Sequence, residues 1–291
     1  MGLLDGLSKL GVTNVDTDNL YEKAESTHPA LRKEPEKKEE KPKQPEIREE
    51  DFLLRKSYDC PVCESKFKDL ALKSNRARMT GTTKGLRPIY DHIEPLKYET
   101  IVCPVCGYAV MNRYMIPLVP SQKKAIKEGI SVNFQGINTD KEVYTYEDAI
   151  DRITLALASA VVKRAKASEK AYICLKGGWL CESYLDTLDP EDAKQEILYE
   201  DITEKKKEFM ENAYDGFITA MQEENYPIGG MDEMTLNYLI AVMAMERGQY
   251  DVASKMVAAI LQSVSASSRL KDKARELKTE LVAILRRNKQ Q

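Results

Sequence analysis

From Thr139 onward the apolar residues return every three to four positions, the period of helices that each bury one stripe. Between Tyr146 and Lys166 the stripe is Ile150, Ile153, Leu157, Ala160 and Val161. The same spacing predicts helices over 171–186, 191–225, 233–247, 250–264 and 268–288. Start signals agree with the period. Thr145-Tyr146-Glu147-Asp148 has the form of a capping box, and Asp189-Pro190-Glu191-Asp192 offers a cap, a first-turn proline and two carboxylates.

Two of the helix pairs carry the small/large alternation of tetratricopeptide repeats. In one, Ala241 and Ala244 permit close approach, Gly248-Gln249-Tyr250 makes the turn, and Ala253, Val257 and Ile260 line the returning helix. In the other, Gly178 and Cys181 precede a long connection to a helix bearing Ala213, Phe217 and Ala220. Two such repeats are fewer than a free-standing solenoid needs, so flanking helices are expected to cap the stack.

Between 51 and 138 the pattern differs. Runs such as Tyr98-Glu99-Thr100-Ile101-Val102 read as strands, and Gly81, Gly85, Pro88 and Pro95 cut the sequence into short pieces. The expectation is a small β-rich module with a hairpin or small sheet over the cysteine site, then a short helix from Ser121 to Glu128 ending at Gly129. Ahead of it, 1–28 carries Leu3, Leu4, Leu7 and Leu10 and then Leu20 and Tyr21, a candidate docking helix. The segment 29–50 is expected to be a disordered charged linker. From Leu31 to Glu50 it holds seven basic residues, seven acidic residues and three prolines, too little apolar surface to offset chain entropy.

The chemistry lies in two identical tetrapeptides, Cys60-Pro61-Val62-Cys63 and Cys103-Pro104-Val105-Cys106. Each Cys-x-x-Cys turn brings two sulfurs to one ion, and two turns complete a tetrahedron. Four thiolates fill the shell, which argues for a structural ion: zinc, with iron the alternative because rubredoxin-like sites use similar Cys-Pro-x-Cys-Gly turns. A thiol redox protein is the competing reading, but neither pair opens a helix as redox motifs do. Cys174 and Cys181, seven apart among apolar neighbours, read as packing residues. His28 and His92 are too few for a histidine-based metal site or triad, and His92 reads as a loop residue.

Composition narrows the class further. With 42% hydrophobic and 31% charged residues in 291, the chain has the makeup of a soluble multidomain protein. Its longest apolar stretch, Leu155 to Val162, is far short of a membrane helix, and Met1 to Gly6 does not read as a signal peptide, so a cytoplasmic location is expected. A net charge of -3 is no general lure for nucleic acid. Yet Lys73, Arg76, Arg78, Lys84 and Arg87 lie in a stretch without acids, a candidate surface for phosphates or nucleic acid. Gly81-Thr82-Thr83-Lys84-Gly85 lacks the ending of a phosphate loop, and no nucleophile elbow, dinucleotide fingerprint or kinase signature occurs.

Cys60-Pro61-Val62-Cys63, the charged region Lys73 to Arg87, Tyr98-Glu99, and Cys103-Pro104-Val105-Cys106-Gly107-Tyr108-Ala109 ahead of a helical region together resemble a bacterial family, domain of unknown function 2225, over about 51–291. Glu64 departs from the glycine or polar residue common there. The resemblance implies a bacterial cytoplasmic protein with a zinc ribbon fused to helices and leaves its biochemistry open. The expected fold is α+β and multidomain: a zinc-ribbon-like module over 51–138 followed by an all-α tetratricopeptide-like array over 139–291. The expected function is that of a zinc-binding adaptor whose helices receive a protein or peptide partner, with nucleic-acid or phosphate binding through 73–87 as the alternative.

Overall fold

In the computed structural model, which describes residues 47–288, the alternating runs of the first half form three antiparallel pairs of strands. Strand β1 (Leu53–Asp59) pairs with β2 (Lys66–Leu72), with Leu53 opposite Leu72 and Asp59 opposite Lys66. Strand β3 (Arg78–Thr82) pairs with β4 (Pro88–Asp91), with an irregularity between Met79 and Gly81. Strand β5 (Thr100–Val102) pairs with β6 (Ala109–Met111), and all six of these residues are buried. A two-stranded pair has too little surface to stand alone in water. Each therefore leans on something else.

Seven helices follow among the described residues: α1 (Pro120–Gly129), α2 (Tyr146–Val162), α3 (Ala167–Leu185), α4 (Glu196–Glu223), α5 (Glu233–Glu246), α6 (Tyr250–Gln262) and α7 (Ser268–Asn288). The capping box at Thr145 is formed: its hydroxyl accepts from the Asp148 amide, and the Asp148 carboxylate accepts from the Thr145 amide. Helix α5 has no polar face through its middle, and every residue from Leu236 to Met245, Asn237 included, is buried, with α4, α6 and α7 packed against it. The core that fills the helical region also takes in Leu96 and Met111 from the strand region.

Three expected boundaries shift. The helix expected from Tyr146 to Lys166 stops at Val162, because Arg164 turns left-handed (φ 54°) and the Ala165 amide bonds back to the Ala160 carbonyl. That is a Schellman ending without its usual glycine. Asp189-Pro190-Glu191-Asp192 does not start a helix either. Asp189 accepts from the Glu191 amide and Asp192 from the Lys194 amide, so the aspartates hold local turns and α4 begins only at Glu196. The β3–β4 pair does not lie over the cysteines. Its turn rests on the helices, where the Trp179 indole donates to the Gly85 carbonyl at 3.1 Å and Lys84 pairs with Glu280.

The leader over 1–28 and most of the linker, 29–46, lie outside the described residues. At 47–50 the chain already belongs to the fold. Glu49 sits in a 3-10 turn (Glu49–Phe52), accepts from the Tyr98 hydroxyl at 2.7 Å and pairs with Lys97 at 2.7 Å.

One buried ion pair joins strands to helices. Asp69 on β2 and Arg152 on α2 are both wholly buried and bonded to each other. Asp69 also accepts from the Val102 amide (3.1 Å), the Leu70 amide (2.9 Å) and the Tyr144 hydroxyl (2.5 Å). Arg152 donates to the Thr100 carbonyl (3.1 Å) and stacks its guanidinium 4.2 Å above the Tyr144 ring.

Helices α3 and α4 meet through glycines set against the partner helix. A Cβ on Gly178 would lie 2.4 Å from the Met210 sulfur, one on Gly177 2.7 Å from the Phe209 ring, and one on Gly216 2.9 Å from the Ala171 Cβ. Met210 is flexible and can swing aside, whereas Ala171 has no such freedom. Gly216→Ala is therefore expected to lower stability by about 1–3 kcal/mol in urea unfolding, and Gly178→Ala by distinctly less. Asp69→Asn and Arg152→Met are each expected to cost about 3–5 kcal/mol, because each strands a buried polar or charged partner. The double variant should cost less than their sum in the same assay.

Candidate metal centre

Each cysteine tetrapeptide occupies the turn between two paired strands, and the two turns share one hydrogen-bond plan. In the first, the Cys60 amide donates to the Ser65 carbonyl (2.9 Å) and the Glu64 amide to the Cys60 carbonyl (2.9 Å). In the second, the Cys103 amide donates to the Tyr108 carbonyl (2.9 Å) and the Gly107 amide to the Cys103 carbonyl (3.0 Å). The residue after the second cysteine of each turn is left-handed: Glu64 at φ 62° and Gly107 at φ 74°. Gly107 has a second reason to lack a side chain, since its Cβ would lie 2.5 Å from the Phe134 ring. No such ring constrains Glu64, whose side chain is exposed beside Lys123. Its departure from glycine thus leaves the turn intact.

The turns bring all four Sγ atoms within 4.8 Å of one another. Cys60 lies 3.6 Å from Cys106, and Cys63 lies 3.6 Å from Cys103. A tetrahedral ion with metal–sulfur bonds of about 2.3 Å needs sulfur–sulfur edges of about 3.8 Å, so the four sulfurs fit such an ion. Cys60, Cys103 and Cys106 are buried, while Cys63 is half-buried. The Val62 amide points at Cys60 Sγ (3.4 Å), and Ser65 Oγ lies 3.0 Å from Cys63 Sγ and 3.4 Å from Cys103 Sγ, contacts that steady thiolate charge. Val62, Tyr108, Val110, Leu118 and Ile126 close an apolar shell around the group, with α1 supplying Ile126.

Two turns separated by 39 residues are held in register by Asp69. Its carboxylate takes the amide of Val102, the residue before Cys103, while its own strand β2 leaves the Cys60–Cys63 turn. Sequence reasoning missed Asp69 and Arg152. The available signal was an arginine on the buried side of α2, flanked at helical spacing by Ala149 and Ala156.

Hydrogen bonds within the cluster divide the thiol acidities. Cys106, then Cys60, hold Cys103 well below the ordinary thiol range. Cys103 in turn pushes Cys60 up to about 11, and Cys103 with Cys60 pushes Cys106 above the thiol range. Cys103 is thus more readily deprotonated than Cys60 or Cys106.

The other candidates fall in different places. Arg87 is buried, bonded to Asp186 and 3.3 Å from Glu182; Lys84 pairs with Glu280; and the Lys73 ammonium donates to the Asp51 carbonyl. Arg76 and Arg78 are exposed on the far part of the β3–β4 hairpin region. The five cations of 73–87 therefore do not share one surface. Cys174 and Cys181 are buried in α3, where burial raises both thiols, Cys174 to about 12 and Cys181 to about 11. His92 stands in a loop beside Asp91, and His28 lies outside the described residues.

Three antiparallel strand pairs, a closed group of four cysteines that could hold a metal ion, and a helical region define the class of this protein. The matching family model is described as an uncharacterized protein conserved in bacteria, DUF2225, and covers residues 53–281; the chain belongs to that family. No curated protein and no solved structure matches it. Among the described residues no helix is long and apolar enough to cross a membrane.

Cobalt(II) added to the protein is expected to give tetrahedral absorption with thiolate charge transfer, lost in Cys63→Ala. Protons compete for the same four thiolates, so the band should fade as pH falls. An octahedral spectrum insensitive to Cys63→Ala would show that the sulfurs do not ligate together.

Proposed function

We propose that this protein is a zinc-dependent adaptor of the bacterial cytoplasm: the ion fastens two cysteine turns together, and the helices offer a surface to a protein or peptide partner. The observation that carries this is the closed set of Cys60, Cys63, Cys103 and Cys106, four thiolate donors in an apolar shell. Such a shell has no place for a reacting water, which suits a structural ion. Zinc is favoured by the tetrahedral fit and the all-sulfur donors, and iron suits the same set.

The partner surface is inferred from the helix pairs over 139–291. In α5 and α6, Ala241, Ala244, Ala253, Val257 and Ile260 are buried between the helices and Gly248 (φ 71°) makes the turn, in keeping with a tetratricopeptide-like hairpin. The pair α3 and α4 is a more distant likeness, because α4 runs to 28 residues. A nucleic-acid reading draws less support, since burial of Arg87 and pairing of Lys84 leave Arg76 and Arg78 as its main contacts. A thiol redox reading would need a reactive thiol, and three of the four are buried.

Elemental analysis with thiol titration tests this directly. About one zinc per chain and four protected thiols are expected. Because metal binding in small modules contributes on the order of 10 kcal/mol or more, chelation or Cys103→Ser is expected to make the strand region protease-sensitive. A metal-free protein with four reactive thiols and turnover in disulfide exchange would replace the adaptor with a redox protein.

A further inference from the structure

A second polar site lies where β4, the segment after it, the start of α2 and the end of α3 converge on a cleft of about 380 Å³. Its floor carries two cations that are unusual for being buried: the side chains of Arg87 and Lys97 are only 6% and 9% exposed. Ion pairs account for part of each. Asp186 binds Arg87 Nη2, and Glu49 takes Lys97 Nζ at 2.7 Å. The remaining donors are not used up. Arg87 Nε lies 3.3 Å from the Glu182 carboxylate, but Arg87 Nη1 comes no nearer than 3.9 Å to one, that of Glu94. Lys97 has three ammonium hydrogens and one carboxylate.

Glu94 does little to neutralise Arg87. Its carboxylate is already committed to the Ser183 hydroxyl (2.5 Å) and the Leu96 amide (3.1 Å), and burial, its largest influence, raises its pKa. Ser183 is tied in turn to the Tyr146 hydroxyl at 3.1 Å. What the floor leaves free is Arg87 Nη1 and part of the Lys97 ammonium. At the mouth the sign reverses, because Asp186 is 61% exposed and Glu49 about a quarter exposed. Ile89, Ile93 and Tyr90 supply an apolar wall between them.

A bare anion would meet the floor but be repelled at the mouth, and a bare cation the reverse. We propose that this cleft binds a free α-amino acid with an aliphatic or aromatic side chain. Its carboxylate accepts from Arg87 and Lys97, its ammonium faces Asp186 and Glu49, and its side chain lies on Ile89 and Tyr90. The lining of the cleft shares no residue with the cysteine centre.

The test is a titration of the full-length, nitrogen-15-labelled protein with L-leucine and L-phenylalanine, read at the amides of Tyr90, Ser183 and Asp186. Two analogues of leucine separate the charges: 4-methylpentanoate lacks the ammonium, and L-leucinamide lacks the carboxylate. Saturable shifts with an amino acid are expected, weakened about tenfold or more by each deletion, since a site built for a polar group rejects the analogue without it. Asp186→Asn is expected to weaken leucine and spare 4-methylpentanoate; because it also removes a charge partner of the buried Arg87, a lower melting temperature is expected, and a native amide spectrum shows that the fold is kept. Equal binding of 4-methylpentanoate and leucine would overturn the proposal in favour of a simple anion site. So would shifts confined to other parts of the fold, or none with either amino acid.

Discussion

The fold turns on one buried carboxylate. Asp69 has no access to water, so each lone pair must find a donor inside the protein. It finds them in four places at once: its own strand, the strand that leads to Cys103, the loop before α2, and α2 itself. Desolvating this charge is tolerable only while Arg152 and the amides stay in position. The requirement acts as a geometric clamp. It fixes β2 against β5, and thereby the distance between the two cysteine turns.

The same logic recurs around it. Lys97 with Glu49, Lys163 with Glu169, Lys176 with Glu99 and Arg87 with Asp186 are each a buried cation held by a carboxylate, and the last two tie the strand region to α3. Such pairs add little net stability compared with apolar packing, but a wrong arrangement would strand a charge. Short strand pairs have few ways to specify their own placement on a helical bundle. Charged pairs with one acceptable geometry supply it. The apolar contacts of Leu96 and Met111 with the helical core then provide the adhesion.

Sequence periodicity revealed what depends on local rules. The helices, the capping box at Thr145, the short helix before Gly129 and the four cysteines were all legible, because spacing alone encodes them. Hidden were features set by distant residues. Arg164 ends α2 in a left-handed turn that no glycine announces, and Asp189 and Asp192 look like helix starts until their side chains are seen capturing nearby amides. Arg87 looked like surface charge beside Arg76 and Arg78, but its three carboxylates come from 94, 182 and 186, too far along the chain for a local pattern to show. Asp69 was silent for the same reason.

Helix α5 has a consequence for how the chain is made. All four cysteines leave the ribosome before Arg152 does, so the sulfurs can gather while the clamp that aligns them is still incomplete. Helix α5 emerges later still with no polar face, and its last covers, α6 and α7, follow it. Until they arrive, the run from Leu236 to Met245, apolar but for Asn237 and the Tyr238 hydroxyl, is open to water and to other nascent chains, the kind of segment that holding chaperones receive. Deep burial in the finished protein thus means long exposure during synthesis.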